Sequence, residues 1–329
     1  MEINLLELYE ELLAGTYRPG RSICFVITRP KPREVWAATF RDRIVHHLLY
    51  NHIGAGIEAT FIADSCACIP GRGTLYAAER LEAKVRSASQ NWSKPTFYLK
   101  ADLANFFVSI DKRVLDRQLR ALIDEPWWCQ LALQVLWHDP REDYEVRSPR
   151  KLFAQVPQHK RLTAQPAHLG LPIGNLSSQF FANIYLNDLD QFVKHRLRAR
   201  HYIRYVDDFV LLHESPQQLN AWLAEIDDFL SSLGARLNPA KTILQPVDRG
   251  VDFVGHVIKP WRRTTRKRTV KEALRRVTAA PADDLLGLAN SYFGLLGQAS
   301  SSHKDRAKLA SALLRRGRQV NGALTQTYR

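Results

Sequence analysis

Only four cysteines occur in the 329-residue sequence, Cys24, Cys66, Cys68 and Cys129, and they fit neither the paired CxxC spacing of a zinc site nor a small disulfide framework. They read as reduced, mostly buried thiols. Cys66 and Cys68 have no His or third Cys nearby, which leaves that pair short of ligands for a metal. No run of eighteen apolar residues exists, which excludes a membrane-spanning helix. The opening stretch MEINLLELYEELL mixes acids into an amphipathic pattern, where a secretory leader needs a basic end and an apolar block. The sequence therefore reads as soluble and cytoplasmic, with no membrane partner. Internal repeats and low-complexity linkers are missing as well. Acid is scarce at the carboxyl end: residues 259–329 carry sixteen Lys and Arg against four acids, so +12 of the formal +14 lies there and +2 in the first 258 residues. A stretch of that sign calls for a polyanion, since each neutralised phosphate releases counterions, whereas a merely solvated surface normally mixes both signs.

Apolar residues make up 45% of the chain, enough for a real core in two or three packed units. Residues 1–14 read as a helix, and Ser22 to Trp36 alternates around a Pro-Lys-Pro turn as a hairpin does. Asp42 is the expected cap of the helix IVHHLLYNHI, on which His46 and His47 read as packed or solvated. GRGT, residues 71–74, is a loop before the helix LYAAERLEAKV and a weak phosphate-cradle signal. Thr96 to Leu99 reads as a short strand running into Asp102, and residues 137–169 as an irregular insertion. A long amphipathic helix is expected from about Ser178 to Leu197, a hairpin from Tyr202 to Leu212 and a helix from Pro216 to Leu233. Gly250 to Ile258 reads as a strand pair or turn. The main boundary then falls near Lys259, with two or three helices in the basic tail.

The hairpin YIRYVDDFVLL brings Asp207 and Asp208 together at its turn. Adjacent acids repel each other unless a cation intervenes, although a bare pair of turn aspartates is otherwise only a solvated turn. Phe97 to Asp111, FYLKADLANFFVSID, carries a third acid, Asp102, into apolar surroundings. An unpaired buried carboxylate is costly, so Asp102 needs a metal or a cation, with Lys100 as the competing partner. Two acids on a hairpin and a third on a neighbouring strand are what a two-metal site requires. Two Mg²⁺ ions about 3.5–4 Å apart, bridged by carboxylates, activate a 3′-hydroxyl and stabilise leaving pyrophosphate.

In chain order, KPREVWAATFRDRIVHHLL, FIADSCACIPGRGT, FYLKADLANFFVSID, GLPIGNLSSQFFANIYLNDLD and RYVDDFVLL, then LGARLNPAKTILQP and GVDFVGHVI, resemble the successive motifs of the reverse transcriptases, from about residue 23 to residue 258. The resemblance implies an α+β right-hand polymerase. Fingers and palm occupy residues 1–258, with an antiparallel sheet backed by helices. A small basic helical thumb over 259–329 grips the template–primer duplex through its phosphates. It also implies an RNA-directed DNA polymerase that takes dNTPs and makes cDNA on a template RNA. Two Mg²⁺ ions, or Mn²⁺ in their place, are implied on Asp102, Asp207 and Asp208, with Leu103 in the metal shell.

By the same resemblance, Lys31 and Arg33 meet the triphosphate, where a planar guanidinium suits phosphate oxygens. Phe106, Phe107, Ile173, Gly174 and Gln179 line the nucleotide. Phe107 is the gate against a 2′-hydroxyl, or else an ordinary core aromatic. Gly174 lets the backbone approach the substrate, and Ser177 or Ser178 caps the next helix. Tyr205, Lys241, Arg262, Arg263, Arg266 and Arg268 are implied to contact nucleic acid, Lys241 near phosphates unless it is a plain exposed lysine. Within the superfamily, LPIGNLSSQ most resembles the enzymes of diversity-generating retroelements, which copy RNA with frequent errors opposite adenine. That implies a bacterial or phage-encoded protein and an accessory protein encoded nearby. The alternatives are an antiphage or intron-derived reverse transcriptase, and an RNA-binding relic of a polymerase, against which the intact acids stand.

Overall fold

The computed structural model describes residues 2–328; Met1 and Arg329, at the ends of the expected first helix and basic tail, lie outside the described residues. Helix α1 (Glu2–Leu13) precedes a hairpin of β1 (Ser22–Ile27) and β2 (Arg33–Ala37), in which Ser22, Cys24 and Val26 are buried in alternation. Helix α2 (Phe40–Glu58) is capped by Thr39, whose hydroxyl accepts from the Asp42 N–H, so the expected cap is corrected by three residues. The Asp42 carboxylate is buried in the first turn and accepts from the Tyr17 hydroxyl at 2.8 Å and the Gly20 N–H at 3.1 Å. It tethers the preceding chain to the helix. On the same helix His47 is exposed, while burial holds the imidazole of His46 down to about 4, so it packs as a neutral ring.

Next come β3 (Ser65–Cys66), α3 (Thr74–Ala88), β4 (Phe97–Asp102), α4 (Phe106–Ser109), α5 (Lys112–Leu122) and α6 (Pro126–Trp137). The stretch expected to be irregular contains β5 (Tyr144–Val146), which pairs in parallel with β1, and one turn of helix, α7 (Arg150–Phe153). Helix α8 (Leu176–Gln191) continues into a π-helical turn, Phe192–Arg196. Its cap position is Asn175, so Ser177 and Ser178 are buried in its first turn and cap nothing. The Asn175 side chain instead accepts from the Ala38 N–H at 2.9 Å, tying the helix start to the end of β2.

Strands β6 (His201–Tyr205) and β7 (Asp208–His213) form the hairpin, followed by α9 (Pro216–Ser232) and β8 (Ile243–Pro246). The central sheet runs β3-β6-β7-β4-β8, antiparallel except for the parallel edge strand β3. Period-two alternation gives it two apolar faces. Leu99, Ala101, Tyr202, Phe209 and Leu211 pack with residues of α5, α8 and α9, while Tyr98, Ile203, Val210 and Leu212 pack with Leu81 and Val85 of α3. Each fully buried Leu or Phe contributes about 1.5–3 kcal/mol, which fixes the register of the strands that carry the acids.

A second sheet of β9 (Val251–Phe253), β10 (His256–Lys259) and β11 (Arg262–Thr265) spans the boundary expected near Lys259. Residues 262–265 are therefore strand where helix was expected. Helices α10 (Lys267–Ala279), α11 (Ala282–Gly297) and α12 (His303–Leu314) follow, with a core of their own from Val277, Leu285, Phe293 and Leu313. The chain then forms a short pair, β12 (Gln319–Val320) and β13 (Thr327–Tyr328). No helix among the described residues is long and apolar enough to cross a membrane.

Candidate active site

The β4–β7 register sets Asp102 directly opposite Asp208, and the Leu103 N–H donates to the Asp207 carbonyl at 3.3 Å. All three acids thus meet where two strands end. Val206, at the hairpin turn, adopts φ 55°, a left-handed conformation that costs a β-branched residue energy and persists only where its surroundings impose it. Burial pushes the Asp207 carboxyl up to about 6, helped by the charges of Asp102 and Asp208. Asp208 is also raised, first by burial, against the pull of Lys100.

Two lysines answer these charges. Lys241 Nζ lies 2.6 Å from Asp102 Oδ1, and Lys100 Nζ lies 3.3 Å from Asp208 Oδ2. Lys100 is therefore the partner of Asp208 rather than of Asp102, the acid it was expected to compete for. Its side chain leaves β4 on the same face as Asp102, two residues along, and faces β7. Asp207 makes no ion pair among the described residues, and no three His, Cys, Asp or Glu side chains there are gathered closely enough to hold an ion as they stand. The donor chemistry nevertheless fits a divalent cation. Asp102, Asp207 and Asp208 lie at neighbouring strand ends, oxygen donors of the kind a divalent cation takes, and burial raises the Asp207 carboxyl to about 6.

Beneath the turn lies a network that sequence reasoning missed. Arg204, fully buried, donates to both Asp190 oxygens at 2.8 and 2.6 Å, to Asn183 Oδ1 at 3.2 Å, to Ser65 Oγ at 2.8 Å and to the Val206 carbonyl at 2.9 Å. The Tyr202 hydroxyl gives Asp190 a further bond at 2.8 Å. The strained residue beside the Asp207–Asp208 pair is therefore held by a guanidinium clamped to α8. The available signal was alternation in HYIRY, which puts Arg204 on the inward face with Tyr202.

The nucleotide-side residues divide. Lys31 and Arg33 are exposed at the β1–β2 turn, without an ion pair among the described residues. Phe106 is only 3% exposed and belongs to the core, which corrects its expected place at the nucleotide. Phe107 is half-buried, and its carbonyl accepts from the Leu171 N–H at 2.7 Å. Gly174, at φ +127°, comes close to the fingers: a Cβ there would lie 2.8 Å from Val35 Cγ1 and 3.0 Å from the Trp36 carbonyl. The neighbouring Ile173 carbonyl accepts from the Trp36 N–H at 2.7 Å. Gln179 is exposed on α8, and Tyr205 pairs across the hairpin with Asp208.

In the basic tail, Arg262 and Arg268 are exposed, but Arg263 is buried and donates to Glu82 at 2.7 Å, Glu79 at 3.3 Å and the Gln298 carbonyl at 2.9 Å. Arg266 is paired with Asp252. Arg263 is thus a tie between the second sheet and α3, a correction to its expected role on nucleic acid. Among the cysteines, Cys68 is exposed, and burial pushes the Cys66 thiol up to about 12.

Residues 29–258 match the family model described as reverse transcriptase (RNA-dependent DNA polymerase). Protein YkfC of Escherichia coli (strain K12) is 25% identical over 331 residues, covering 90% of this chain and 80% of that protein. An uncharacterized 91 kDa protein in a cob intron of Schizosaccharomyces pombe is 23% identical, over 69% of this chain and 32% of that protein. Among solved structures, telomerase from Candida albicans in complex with a fragment of telomeric RNA aligns with a TM-score of 0.52 at 16% identity, over 91% of this chain and 54% of that one. Apo telomerase from Candida tropicalis gives a TM-score of 0.52 at 14% identity, over 90% of this chain and 57% of that one. The chain thus spans a little over half the length of these telomerase chains. With a matched segment that includes the strand ends bearing Asp102, Asp207 and Asp208, and with a right-hand polymerase fold, this chain belongs to the reverse transcriptase family, the RNA-dependent DNA polymerases.

Proposed function

We propose that the chain copies a template RNA into DNA by nucleotidyl transfer at Asp102, Asp207 and Asp208. The observation that carries this reading is the meeting of three carboxylates at the ends of β4 and β7, with the proton affinity of Asp207 raised. These side chains, with Leu103 beside them, are the ones that would hold two Mg²⁺ ions, or Mn²⁺. When bound, such ions activate the primer 3′-hydroxyl and neutralise charge on departing pyrophosphate. Lys241 and Lys100 balance Asp102 and Asp208 in the meantime. Lys31 and Arg33 offer free cations to the triphosphate from the fingertip. The half-exposed ring of Phe107 takes the space of a 2′-hydroxyl and so selects deoxynucleotides. Tyr205, Arg262 and Arg268 are assigned to template and primer, and α10–α12 to the thumb. The reaction belongs to the cytoplasm of a bacterium, with an accessory protein supplied from a neighbouring gene.

The finer reading is error-prone copying at template adenines within a diversity-generating retroelement, and it rests on Ile173. An amide at this position can bond near the nascent pair and hold one geometry, whereas an aliphatic side chain offers only contact area. An intron-derived enzyme is the second reading, favoured by the intron-borne relative in Schizosaccharomyces pombe. One experiment separates them: deep sequencing of cDNA made by the wild type and by Ile173→Gln on one RNA template. Ile173→Gln is expected to lower misincorporation opposite adenine more than opposite other bases, with synthesis retained. A wild type that copies adenine as faithfully as the other bases points to the intron-derived reading, and no cDNA at all removes both.

A further inference from the structure

The far end of the β6–β7 hairpin carries a dense positive patch. Lys194, Arg196, Arg198 and Arg200 fall within seven residues, on the π-helical turn and just ahead of β6, with the imidazoles of His195 and His201 beside them. Arg80 and Lys84 of α3 come alongside, so that two adjoining grooves of about 330 and 240 Å³ share Ser87, Arg200 and His201. Arg198 and Arg200 are exposed and have no hydrogen-bonded or ion-paired side-chain partner among the described residues. Arg198 also sits at φ 53°, a conformation arginine rarely adopts. The nearby acids do not balance this charge. Asp64 is buried and already takes Arg80 and Lys84, each at 2.6 Å, and Glu214 stands on one rim. Neighbouring Lys84, Arg200 and Lys194 add to burial in holding His201 uncharged.

We propose that these grooves bind the phosphate backbone of RNA, as a second site separate from the tract being copied. Exposed guanidinium groups without internal partners suit phosphate oxygens, and a cluster of one sign is stabilised by a polyanion that releases its counterions. The position separates the two sites. His201 pairs with Leu212 while Tyr205 pairs with Asp208, so a rise of four residues, roughly 13 Å, separates the patch from the carboxylates. RNA held here leaves the catalytic strand ends open, and the bound segment lies outside the template–primer duplex. The choice of RNA over another polyanion rests on the reading of the chain as an RNA-directed polymerase.

The test uses the full chain with Arg198→Gln and Arg200→Gln combined, with Lys194 kept because it donates to the Ala199 and Arg200 carbonyls. Binding of a fluorescent oligouridylate is measured across a salt series, together with ultraviolet crosslink mapping and extension of a short primer on a short template. The slope of log K against log salt is expected to fall by about 1.4, from two lost single-strand contacts. Crosslinks to residues 194–201 disappear, and short-template extension is unchanged. Arg198→Lys with Arg200→Lys retains the slope. An unchanged slope with no crosslink in the patch overturns the proposal. So does a wild type in which poly-glutamate displaces the RNA at the patch as readily as unlabelled RNA, since the surface then fits an acidic protein. Loss of slope in a chain that extends no primer leaves this site standing and removes the polymerase reading.

Discussion

Arg204 shows how one side chain joins fold to chemistry. A fully buried guanidinium with a fully buried carboxylate is weak ground for net stability, because desolvation offsets the attraction, but breaking such a pair costs about 3–5 kcal/mol. Asp190→Asn is therefore expected to lower unfolding free energy by an amount of that order in a denaturant titration. Arg204→Lys keeps the charge but loses the planar fork that reaches Asp190 and the Val206 carbonyl together. It is expected to fold and to need a higher divalent-ion concentration for half-maximal synthesis, since the turn beside Asp207 loses its clamp. Wild-type metal dependence in Arg204→Lys would reduce the network to core packing. The motif containing Arg204 was legible in the sequence, but the inward direction that alternation in HYIRY gives Arg204 was not drawn from it. Its partner was not legible, because Asp190 lies on another element and no local pattern links a strand arginine to a helix aspartate.

Strands and helices with strong periodicity were readable, and their ends less so. The β1–β2 and β6–β7 hairpins and α9 stand close to where alternation and helical spacing put them. The caps shifted because several residues competed for them. Thr39 and Asp42 both carry a suitable oxygen, and Tyr17, far away in sequence, decides which is free. Asn175 precedes Ser177 and Ser178, so α8 begins earlier than the serines suggest. Strand β5 was hidden because three residues have no period of their own and are strand only by pairing with β1. Gly174 carries the junction between fingers and palm. Gly174→Ala forces a Cβ against Val35 and Trp36 at a positive φ, and is expected to cost about 1–3 kcal/mol in chemical unfolding. An alanine variant of unchanged stability would contradict the close fit.

Across the whole molecule, the excess of positive charge divides into arms used inside and arms left free. The composition of the tail shows the excess but not that division, since Arg263 is buried by the alternation of β11 while Arg316 donates to the Val277 carbonyl at 2.7 Å. Replacing Arg262 and Arg268 by Gln is expected to flatten the salt dependence of RNA binding, each lost contact removing roughly 0.7–0.9 from the slope, with stability unchanged. Arg263→Gln is expected to do the opposite, lowering stability through Glu79 and Glu82 and leaving the slope alone. Equal effects of the two variants on the slope would place Arg263 on nucleic acid after all. The most direct measurement is extension of a DNA primer on an RNA template by Asp207→Asn, with Mg²⁺ supplied and RNA binding followed in parallel. Loss of synthesis with RNA binding nearly intact is the predicted result, because the proposed function gives that carboxylate to the ions and the phosphate grip to the basic tail; undiminished synthesis would contradict a catalytic site at these strand ends.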